Sequence, residues 1–590
     1  MNTAWQNARE QLLAELSPEG RWEGELSSSA LATAVASFAL KLSGKTELAE
    51  HGFQWLRTHR NADGGWGDSP ESPSNFTTTL LCRCVLDEPV GSPQEVVRSI
   101  LEHYGDDRTF SVPILTMCML AGKLGDDWSV VPQLPFELAV LPHRFYKFIR
   151  LPVVSYALPA LIAMGLVRHV HKPARAFNDS NTATRPGLRP PLQRRGAYKI
   201  PFTGGVPEGR GGFFDVLRDI SIVKCSRGSF IRHLAISRSL KMLRKIQPES
   251  GGFLEAAPLT GFVGMSLAGA GFGDHPAARA CFRFLENTVR ADGSWPIDIN
   301  LSTWVTSLSA RALSNDLSDE QKTCIRRHLL QTQWKETHPF THAAPGGWGW
   351  TYTQGGVPDA DDTAAALIAL RQLGCDADAA EKGIQWLLDL QNRDGGMPTF
   401  CKGWGRLPFD RSCPDLTAHS IRAFLAWRGE VDLRLWKKMA RSIRRGLRYL
   451  EKQQRADGSW IPLWFGSQSN FNHENPVYGT VRVLEALREL DEAEFPVIGK
   501  MKQRGFQWLE NAQNPDGSWG DSIEETALAA GLTGKGITKL LEMTAGGTRF
   551  SARPIGLYFA SLWYAERLYP VIFTVEALTR FETESKKGLI

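Results

Sequence analysis

A repeated segment constrains the fold of this chain more than any other feature of its sequence. In each copy an apolar stretch ends in an aromatic residue and a Leu, and an Asp-Gly turn followed by Trp or Met comes next. The Leu lies seven residues before the Asp in the copies Leu56/Asp63, Leu285/Asp292, Leu387/Asp394, Leu450/Asp457 and Leu509/Asp516. A degenerate copy runs from Leu243 to Phe253, and Trp348 ends a looser one. Such self-similarity indicates repeated supersecondary units.

Each repeat is predicted to be a pair of helices. The first helix ends in polar residues, and the Gly of the turn supplies the positive φ that a tight stop needs. The Trp then packs back on the structure, which is the role we expect for Trp66, Trp295, Trp460 and Trp519. Candidate caps at the start of the second helix are Ser302 or Thr303, Thr363, Thr417, Thr480 and Thr526.

The spacing of the repeats predicts the fold class. Turn residues at positions 295, 348, 397, 460 and 519 are 49 to 63 residues apart, which is enough for two helices and their loops. No regular alternation of strands competes with this pattern. Helix pairs that close on themselves form an α/α barrel, so the predicted fold class is all-α. A chain of 590 residues exceeds what one core usually fills, which favours two domains.

Composition excludes several classes of protein. Apolar residues make up 42% and charged residues 22%, as in ordinary globular proteins, and a net charge of +5 is too small to indicate nucleic-acid binding. The nine Cys show no paired metal-type spacing. The first residues predict an amphipathic helix without the apolar centre of a signal peptide, so a cytoplasmic protein is expected.

A basic segment and an apolar stretch interrupt the repeats. Residues 168–212 are rich in Lys, Arg, Pro and Gly and predict a long basic loop. The preceding apolar residues 151–167 contain Pro152 and Pro159 and are short for a membrane span. They are either a buried core helix or an apolar surface inserted into one leaflet of a membrane, with the basic loop near anionic headgroups.

An acidic motif opens one of the second helices. Asp359, Asp361 and Asp362 precede Thr363. Capping of a helix needs only one or two of these acids. Several carboxylates packed in an apolar cavity cannot all ionise, because repulsion and desolvation raise at least one pKa and leave a protonated acid.

A second motif lies one repeat later. Asp415 and His419 are four residues apart at the start of the next inner helix. Equivalent helix starts in a barrel share one rim, so we expect His419 to reach the acidic cluster and Asp415 to orient the His. The alternative is that His419 is structural.

The D-x-D-D motif at 359–362, the Asp415–His419 pair and the Asp-Gly-Trp repeats together resemble the squalene–hopene cyclase family of class II triterpene cyclases. The resemblance covers nearly the whole chain. It implies two α/α barrels around a large apolar cavity and an enzyme bound peripherally, as a monotopic protein, to the cytoplasmic side of a membrane. By analogy, residues 1–15 with 291–590 form the catalytic barrel, and residues 16–290 form an inserted second barrel.

The resemblance also implies roles for individual residues. Asp361 is the general acid that protonates a terminal alkene, Asp359 and Asp362 hold and polarise it, and His419, oriented by Asp415, makes its proton more acidic. Aromatic faces then stabilise carbocations. The implied substrate-binding residues are Tyr156, Trp304, Trp350, Phe400, Trp464, Tyr478 and Tyr558.

Some positions depart from the family pattern. Ala257 stands where the family has a polar terminating Gln, and Pro554, Leu562 and Ala565 replace aromatic residues near the C-terminus. The stretch from Ser467 to Val477 also looks inserted or remodelled. These departures predict retained initiation chemistry with altered ring closure and termination.

The expected partners follow from the same resemblance. A linear polyprenoid, squalene above all, is the expected substrate, and a membrane lipid surface is an expected partner. Formation of a homodimer is left open. No cofactor and no metal are expected. The alternatives are an isoprenoid-binding or prenyltransferase-like barrel that does not cyclise, which would need an Asp/Cys/His zinc site, and a noncatalytic scaffold.

Overall fold

The computed structural model describes residues 2–104, 108–132, 141, 143–148, 154–171, 229–556 and 562–586. Regular structure in these ranges is helical, and no β-strand occurs in them apart from isolated bridges such as that between Leu26 and Glu566. The predicted all-α fold class is confirmed.

The helices of the first half precede position 290. From the amino terminus they are α1 (Asn2–Ala14), α2 (Ala30–Leu42), α3 (Thr46–Thr58), α4 (Phe76–Val85), α5 (Pro93–Tyr104), α6 (Arg108–Leu120), α7 (His143–Phe148), α8 (Val154–His171), α9 (Ser229–Ile246), α10 (Ala257–Gly269) and α11 (Pro276–Thr288). Short 3-10 turns lie at Trp128–Val130 and Phe253–Glu255.

The helices of the second half follow position 300. They are α12 (Ser302–Ala312), α13 (Asp319–Thr332), α14 (Ala360–Gln372), α15 (Ala377–Leu390), α16 (Pro414–Ala426), α17 (Leu433–Gln453), α18 (Pro476–Arg488), α19 (Val497–Asn511), α20 (Ile523–Thr533), α21 (Ile537–Met543) and α22 (Tyr569–Lys586).

Two closed rings of inner helices organise the chain. In the first ring, contacts run from α2 to α4, α6, α8, α10 and back to α2; in the second they run from α12 to α14, α16, α18, α20, α22 and back to α12. The intervening helices, such as α3, α11 and α17, lie outside the inner ones. Inner helices are apolar nearly all round because they are covered on both sides, whereas an outer helix such as α17 is apolar along one face only.

Each ring has its own hydrophobic core. One core takes its side chains from α2 to α11, and the other from α12 to α22. The helix α1 belongs to the second core, because Ala4, Ala8 and Leu12 are buried in it and α1 packs against α22. We propose the domain division expected from the sequence, 1–15 with 291–590 and 16–290, on this ground.

The repeat turns have a common hydrogen-bonding pattern. The indole N–H groups of Trp66, Trp295, Trp460 and Trp519 each donate to the carbonyl of the Leu ten residues earlier, at 2.8 to 2.9 Å, and all four Trp side chains are fully buried. The Gly of each turn has the positive φ that was predicted, for example 102° at Gly458. The predicted packing role of these Trp residues is confirmed.

The Thr residues expected to cap the second helices act differently. The hydroxyls of Thr363, Thr417, Thr480 and Thr526 accept the backbone N–H of the turn residue at 348, 397, 460 or 519. The side-chain caps are instead Asp359, Asn475 and Ser522, which precede the helices. In α12 the equivalent bond is made by Thr306, whose hydroxyl accepts the backbone N–H of Trp22. It is not made by Ser302 or Thr303. The Thr residues therefore fasten the turn to the first turn of an inner helix.

The apolar stretch at 151–167 enters α8. Leu161, Ile162 and Leu166 are fully buried in the first core, as the core-helix interpretation predicts. No described helix is both long enough and apolar enough to cross a bilayer. The predicted basic loop at 168–212 lies outside the described residues after position 171.

We predict that Trp460→Phe lowers the free energy of unfolding by about 1–3 kcal/mol, because it removes the buried indole N–H bond to the Leu450 carbonyl and leaves a small void beside the smaller ring. Chemical denaturation measures this loss. In the control Trp404→Phe the replaced side chain is 45% exposed, and a change within about 0.5 kcal/mol is expected. Equal losses in both variants would contradict the role given to the repeat Trp.

Candidate active site

The Thr bonds bring equivalent side chains to one rim of the second ring. The residue two positions before the Thr is Trp304 in α12, Asp361 in α14, Asp415 in α16 and Tyr478 in α18. These four residues and His419 line a single small cleft at the rim. The register of the repeats, set by the turns, thus brings together side chains that are far apart in sequence.

Asp359 is the N-cap of α14. Its Oδ1 accepts the backbone N–H of Asp361 at 2.9 Å and that of Asp362 at 2.8 Å. Burial raises its pKa to about 7, although these N–H groups favour the charged form. Asp359 alone therefore provides the helix cap that was the alternative interpretation of the motif. The carboxyls of Asp361 and Asp362 are not needed for capping.

Asp361 and His419 are in direct contact. His419 Nδ1 lies 2.5 Å from Asp361 Oδ1, and the Asp361 side chain also lines the large cavity described below. The two side chains are 17% and 10% exposed, so bulk water has little access to the pair. The ring of Trp304 meets His419 edge-on at 6.1 Å between centroids.

His419 is held as a neutral imidazole. Burial lowers its pKa, and the nearby guanidinium groups of Arg311 and Arg422 act in the same direction, whereas Asp361 opposes them. In the described part of the chain, no hydrogen-bond partner faces its Nε2. A neutral ring protonated on Nδ1 fits this environment, because Nδ1 then donates to Asp361 and Nε2 keeps a lone pair.

Asp415 does not orient His419 as expected from the sequence. No hydrogen bond joins the two side chains among the described residues; Asp415 instead accepts the thiol S–H of Cys413, whose Sγ in turn accepts the N–H of Leu463 at 3.1 Å. Cys413 immediately precedes α16 and lies two residues before Asp415, so its thiol is close enough to donate to the Asp415 carboxyl. Burial, and then repulsion from Asp361, raises the pKa of Asp415 to about 7.

Asp362 is the most strongly perturbed acid of the motif. Burial and then repulsion from Asp359 raise its pKa well above the ordinary value. Its Oδ1 has no hydrogen-bond partner in the described ranges. Two of the motif's acids, Asp359 and Asp362, thus have raised pKa values, as the sequence analysis anticipated for at least one.

A large apolar cavity lies beside the motif. Its volume is about 650 Å³, and it is lined by residues of both rings, including Leu31 and Phe262 from the first and Asp361 from the second. Of the aromatic residues predicted to bind substrate, the cavity wall contains Tyr156, Trp304, Trp350, Phe400 and Trp464.

Phe400 is the centre of an aromatic cluster in this wall. Its ring centroid lies 5.3 Å from that of Tyr156, 5.6 Å from Trp464 and 5.8 Å from Phe409. Hydrogen bonds fix two neighbouring indoles: Trp464 Nε1 donates to Thr399 at 2.6 Å, and Trp350 Nε1 donates to Asp298 at 3.1 Å. The indole faces are thereby held in place around the cavity.

Of the described residues predicted to bind substrate, Tyr478 is absent from this wall. Tyr478 lies behind Phe465, on which it stacks at 4.5 Å between ring centroids, and it contacts the rim cleft instead of the cavity. A direct substrate contact by Tyr478 therefore stays a prediction. Tyr558 lies outside the described residues.

Several cavity residues were not predicted from the sequence. Phe409, Phe465, Trp563, Tyr564 and Tyr569 line the cavity, and so does Asp298, whose pKa burial raises well above its usual range. Most of these residues lie in irregular segments, where no periodicity marks the buried face. Their only signal was a high local density of aromatic residues.

Some of the positions that depart from the family pattern lie at or next to a cavity wall. Leu562 lines the large cavity, and Ala256 and Pro258, which flank Ala257, line it too. Pro554 lines a smaller polar pocket next to it. In the described residues no set of His, Cys, Asp and Glu side chains has the arrangement of a metal site.

The chain belongs to the squalene–hopene cyclase family. The model of the squalene-hopene cyclase N-terminal domain matches residues 5–294, and that of the C-terminal domain matches residues 301–539. The fold resembles that of ent-copalyl diphosphate synthase from Streptomyces platensis, with a TM-score of 0.51 and 17% identity over 98% of this chain and 99% of the other.

Similar sequences include enfumafungin synthase efuA of Hormonema carpetanum, with 27% identity over 86% of this chain. This chain spans only 41% of that protein's length. Squalene–hopene cyclase of Alicyclobacillus acidocaldarius is 28% identical over 82% of this chain and 77% of its own length.

We predict that Asp415→Asn makes stability less dependent on pH. The folded-state pKa of Asp415 is about 7, above the value of roughly 4 for an unfolded Asp, so its contribution to stability is present below pH 4 and is lost as the pH rises to 7. Asn keeps an acceptor for the Cys413 thiol but has no proton to lose. Relative to the original chain, the variant should gain about 2–4 kcal/mol between pH 5 and pH 8.

Denaturation at both pH values measures this gain. The control is Asp376→Asn, which removes an exposed carboxyl that makes no cap hydrogen bond at the start of α15. The same gain in both variants, or none in Asp415→Asn, would show that burial does not hold Asp415 in its neutral form.

Proposed function

We propose that this chain is a class II terpene cyclase that protonates a terminal alkene of squalene or a related linear polyprenoid and cyclises it through carbocations. The observation that carries the proposal is the 2.5 Å contact between His419 Nδ1 and Asp361 Oδ1 at the wall of an apolar cavity of about 650 Å³. An isolated alkene is a very weak base, so its protonation needs a strong acid shielded from water.

Asp361 supplies the proton in this mechanism. The O–H of its neutral carboxyl transfers a proton to the terminal carbon of the alkene, the π electrons form the new C–H bond, and a tertiary carbocation remains. The carboxylate left behind accepts the Nδ1–H of neutral His419, a bond to a charged group worth about 1.5–3 kcal/mol. His419 therefore stabilises the state after proton transfer more than the state before it.

The neighbouring acids keep the charge balance favourable. Burial raises the pKa of Asp359 to about 7 and that of Asp362 well above the ordinary value, so both carboxyls keep their protons to higher pH than an exposed Asp. If they were ionised, their repulsion would hold the proton on Asp361 and slow its transfer. Asp359 also accepts the N–H of Asp361 and so fixes the backbone from which the acid projects.

The aromatic wall supports the later steps. Phe400, Trp350 and Trp464 line the cavity, and a desolvated cation over an aromatic face is stabilised by about 2 kcal/mol. These rings lack a lone pair that would capture the cation. The indole N–H groups of Trp350 and Trp464 are already bonded, to Asp298 and Thr399, and so do not offer polar atoms to the substrate.

The proposal also covers the class of substrate and the place in the cell where the protein meets it. The cavity lining is predominantly apolar, which suits a hydrocarbon chain, and the similarity to a protein named squalene–hopene cyclase supports a polyprenoid. Leu562 in the wall, and Ala257 between two wall residues, support a product other than hopene. Recruitment of a water-insoluble substrate from a membrane surface, at the cytoplasmic side, and a homodimer remain predictions.

We predict that Asp361→Asn lowers product formation at least about 10²–10⁴-fold while the chain stays folded, since the amide has no acidic proton. The measurement is incubation with squalene in detergent, with products identified by mass spectrometry and NMR, beside a thermal unfolding curve. The control Asp376→Asn should keep its activity. Product formation at the original rate by folded Asp361→Asn would refute the acid assignment, and binding of squalene without any cyclised product from the unmodified chain would favour the non-cyclising barrel.

We predict that Phe400→Leu lowers the rate of product formation by about 10- to 30-fold, because Leu nearly keeps the volume but has no π face for a cation worth about 2 kcal/mol. The control is Phe471→Leu at a side chain that is 89% exposed. An unchanged rate and product profile for Phe400→Leu would indicate that Phe400 only packs against its neighbours.

A further inference from the structure

A smaller polar pocket lies next to the large cavity. Its volume is about 130 Å³. It contains Glu524 and Glu525 at the start of α20, with Arg553 and Ser522 beside them. We call this space the side pocket. It is not part of the acid site, because α14 and α20 are three helices apart in the second ring and therefore stand on opposite sides of it.

The start of α20 repeats the register of the acidic motif. Ser522, Glu524, Glu525 and Thr526 occupy the positions that Asp359, Asp361, Asp362 and Thr363 occupy in α14. Thr526 accepts the N–H of Trp519, as Thr363 accepts that of Trp348, and Ser522 is the N-cap. The chain thus places a second acid pair at an equivalent helix start.

The two Glu side chains are buried and have unused hydrogen-bonding capacity. They are 1% and 3% exposed, and in the described part of the chain Glu524 Oε2 and Glu525 Oε1 have no hydrogen-bond partner. Glu524 Oε1 accepts the N–H of Arg553 at 3.0 Å, and Glu525 Oε2 accepts the hydroxyl of Ser522 at 3.1 Å. Burial raises their pKa values to about 8 and about 7. Buried oxygens of this kind call for a polar ligand.

The side pocket lies between exposed residues and the wall of the large cavity. Its outer part is formed by the exposed residues Glu71, Ser469 and Asp521. At its inner part Gln468 and Pro73 line both the side pocket and the large cavity. A hydrogen bond of 2.9 Å from Ser72 Oγ holds Gln468 Oε1 in this shared wall.

The size and chemistry of the side pocket suit water. At about 30 Å³ per molecule, 130 Å³ holds roughly four waters, and the carboxyl oxygens and the Gln468 amide supply the polar partners that buried waters need. Gln468 belongs to the stretch that departs from the family pattern, and the Asp361–His419 chemistry makes no use of it.

We propose that the side pocket is a water inlet, through which Gln468 and the Glu524–Glu525 pair deliver water to the final carbocation, so that this chain forms a hydroxylated product. The water oxygen forms a C–O bond to the cationic carbon with one of its lone pairs. The protonated alcohol then loses one proton to the carboxylate of Glu525 or, through the pocket water, to bulk solvent. Proton addition at Asp361 and proton loss here balance, and the net reaction adds one water.

This inference depends on the proposed cyclase function, and the experiment separates the two. The 590-residue chain is incubated with squalene in water enriched in ¹⁸O. Squalene contains no oxygen, so a labelled hydroxyl group comes from water. The expected result is a cyclised alcohol that carries ¹⁸O, quantified by mass spectrometry against cyclised hydrocarbon.

The variants test the residues of the inlet. We predict that Gln468→Leu and Glu525→Gln each lower the ratio of labelled alcohol to cyclised hydrocarbon by about tenfold, since water is less well held at the shared wall. If Gln468→Leu does not fold, Gln468→Met replaces it. The control is Glu566→Gln: Glu566 is also fully buried and has a pKa raised to about 7, but it lines neither cavity, so the ratio should not change.

The outcomes have distinct meanings. Cyclised hydrocarbon without ¹⁸O from the unmodified chain overturns the water inlet and leaves the cyclase function standing. A labelled alcohol whose ratio is the same in the inlet variants and in Glu566→Gln also overturns it. No cyclised product at all from the unmodified chain overturns the proposed function and the inlet together.

Discussion

The hydrogen bonds of the repeat turns are the interactions on which the rest of this structure depends. Each turn Trp is fixed at two points: its indole N–H bonds to the carbonyl of the outer helix, and its backbone N–H bonds to a Thr hydroxyl in the inner helix. These bonds set the height of each inner helix relative to its neighbours. Since the same bond recurs around the ring, the residue two positions before the Thr reaches the same rim in every repeat. The site is therefore a consequence of the register.

Burial of carboxyl groups is the second constraint. A carboxyl whose pKa is raised from 3.8 to about 7, as at Asp359 and Asp415, costs about 4 kcal/mol more to ionise in the folded chain than an exposed carboxyl does. The fold tolerates these groups because they are neutral below pH 7 and because backbone N–H groups or a thiol bond their oxygens. The same neutrality is what an acid catalyst needs. Glu524 and Glu525 show the same physical pattern on the opposite side of the ring.

Much of the site could be predicted from the sequence. The predictions that do not match the structure have specific physical causes. His419 reaches Asp361 because they lie one repeat apart, and repeat register is visible in sequence. Asp415 shares that register, yet it bonds Cys413, because a neighbour just outside the helix competes for the carboxyl at shorter range. Tyr478 occupies an equivalent position too, but Phe465, which stacks on it, lines the cavity where Tyr478 does not. Phe465 and Phe409 lie in loops, where no periodicity indicates which way a side chain points.

By itself the sequence determined the helix pairs, the turn residues and the acidic motif, since these depend on local geometry: the positive φ of Gly, the apolar period of a helix and the capping position of Asp359. The tertiary structure decided which of these residues meet. Closure of the two rings created the cavity, placed Gln468 in a wall shared with the side pocket, and assigned α1 to the second core. These outcomes depend on contacts between residues hundreds of positions apart, and only the packing of the helices fixes such contacts.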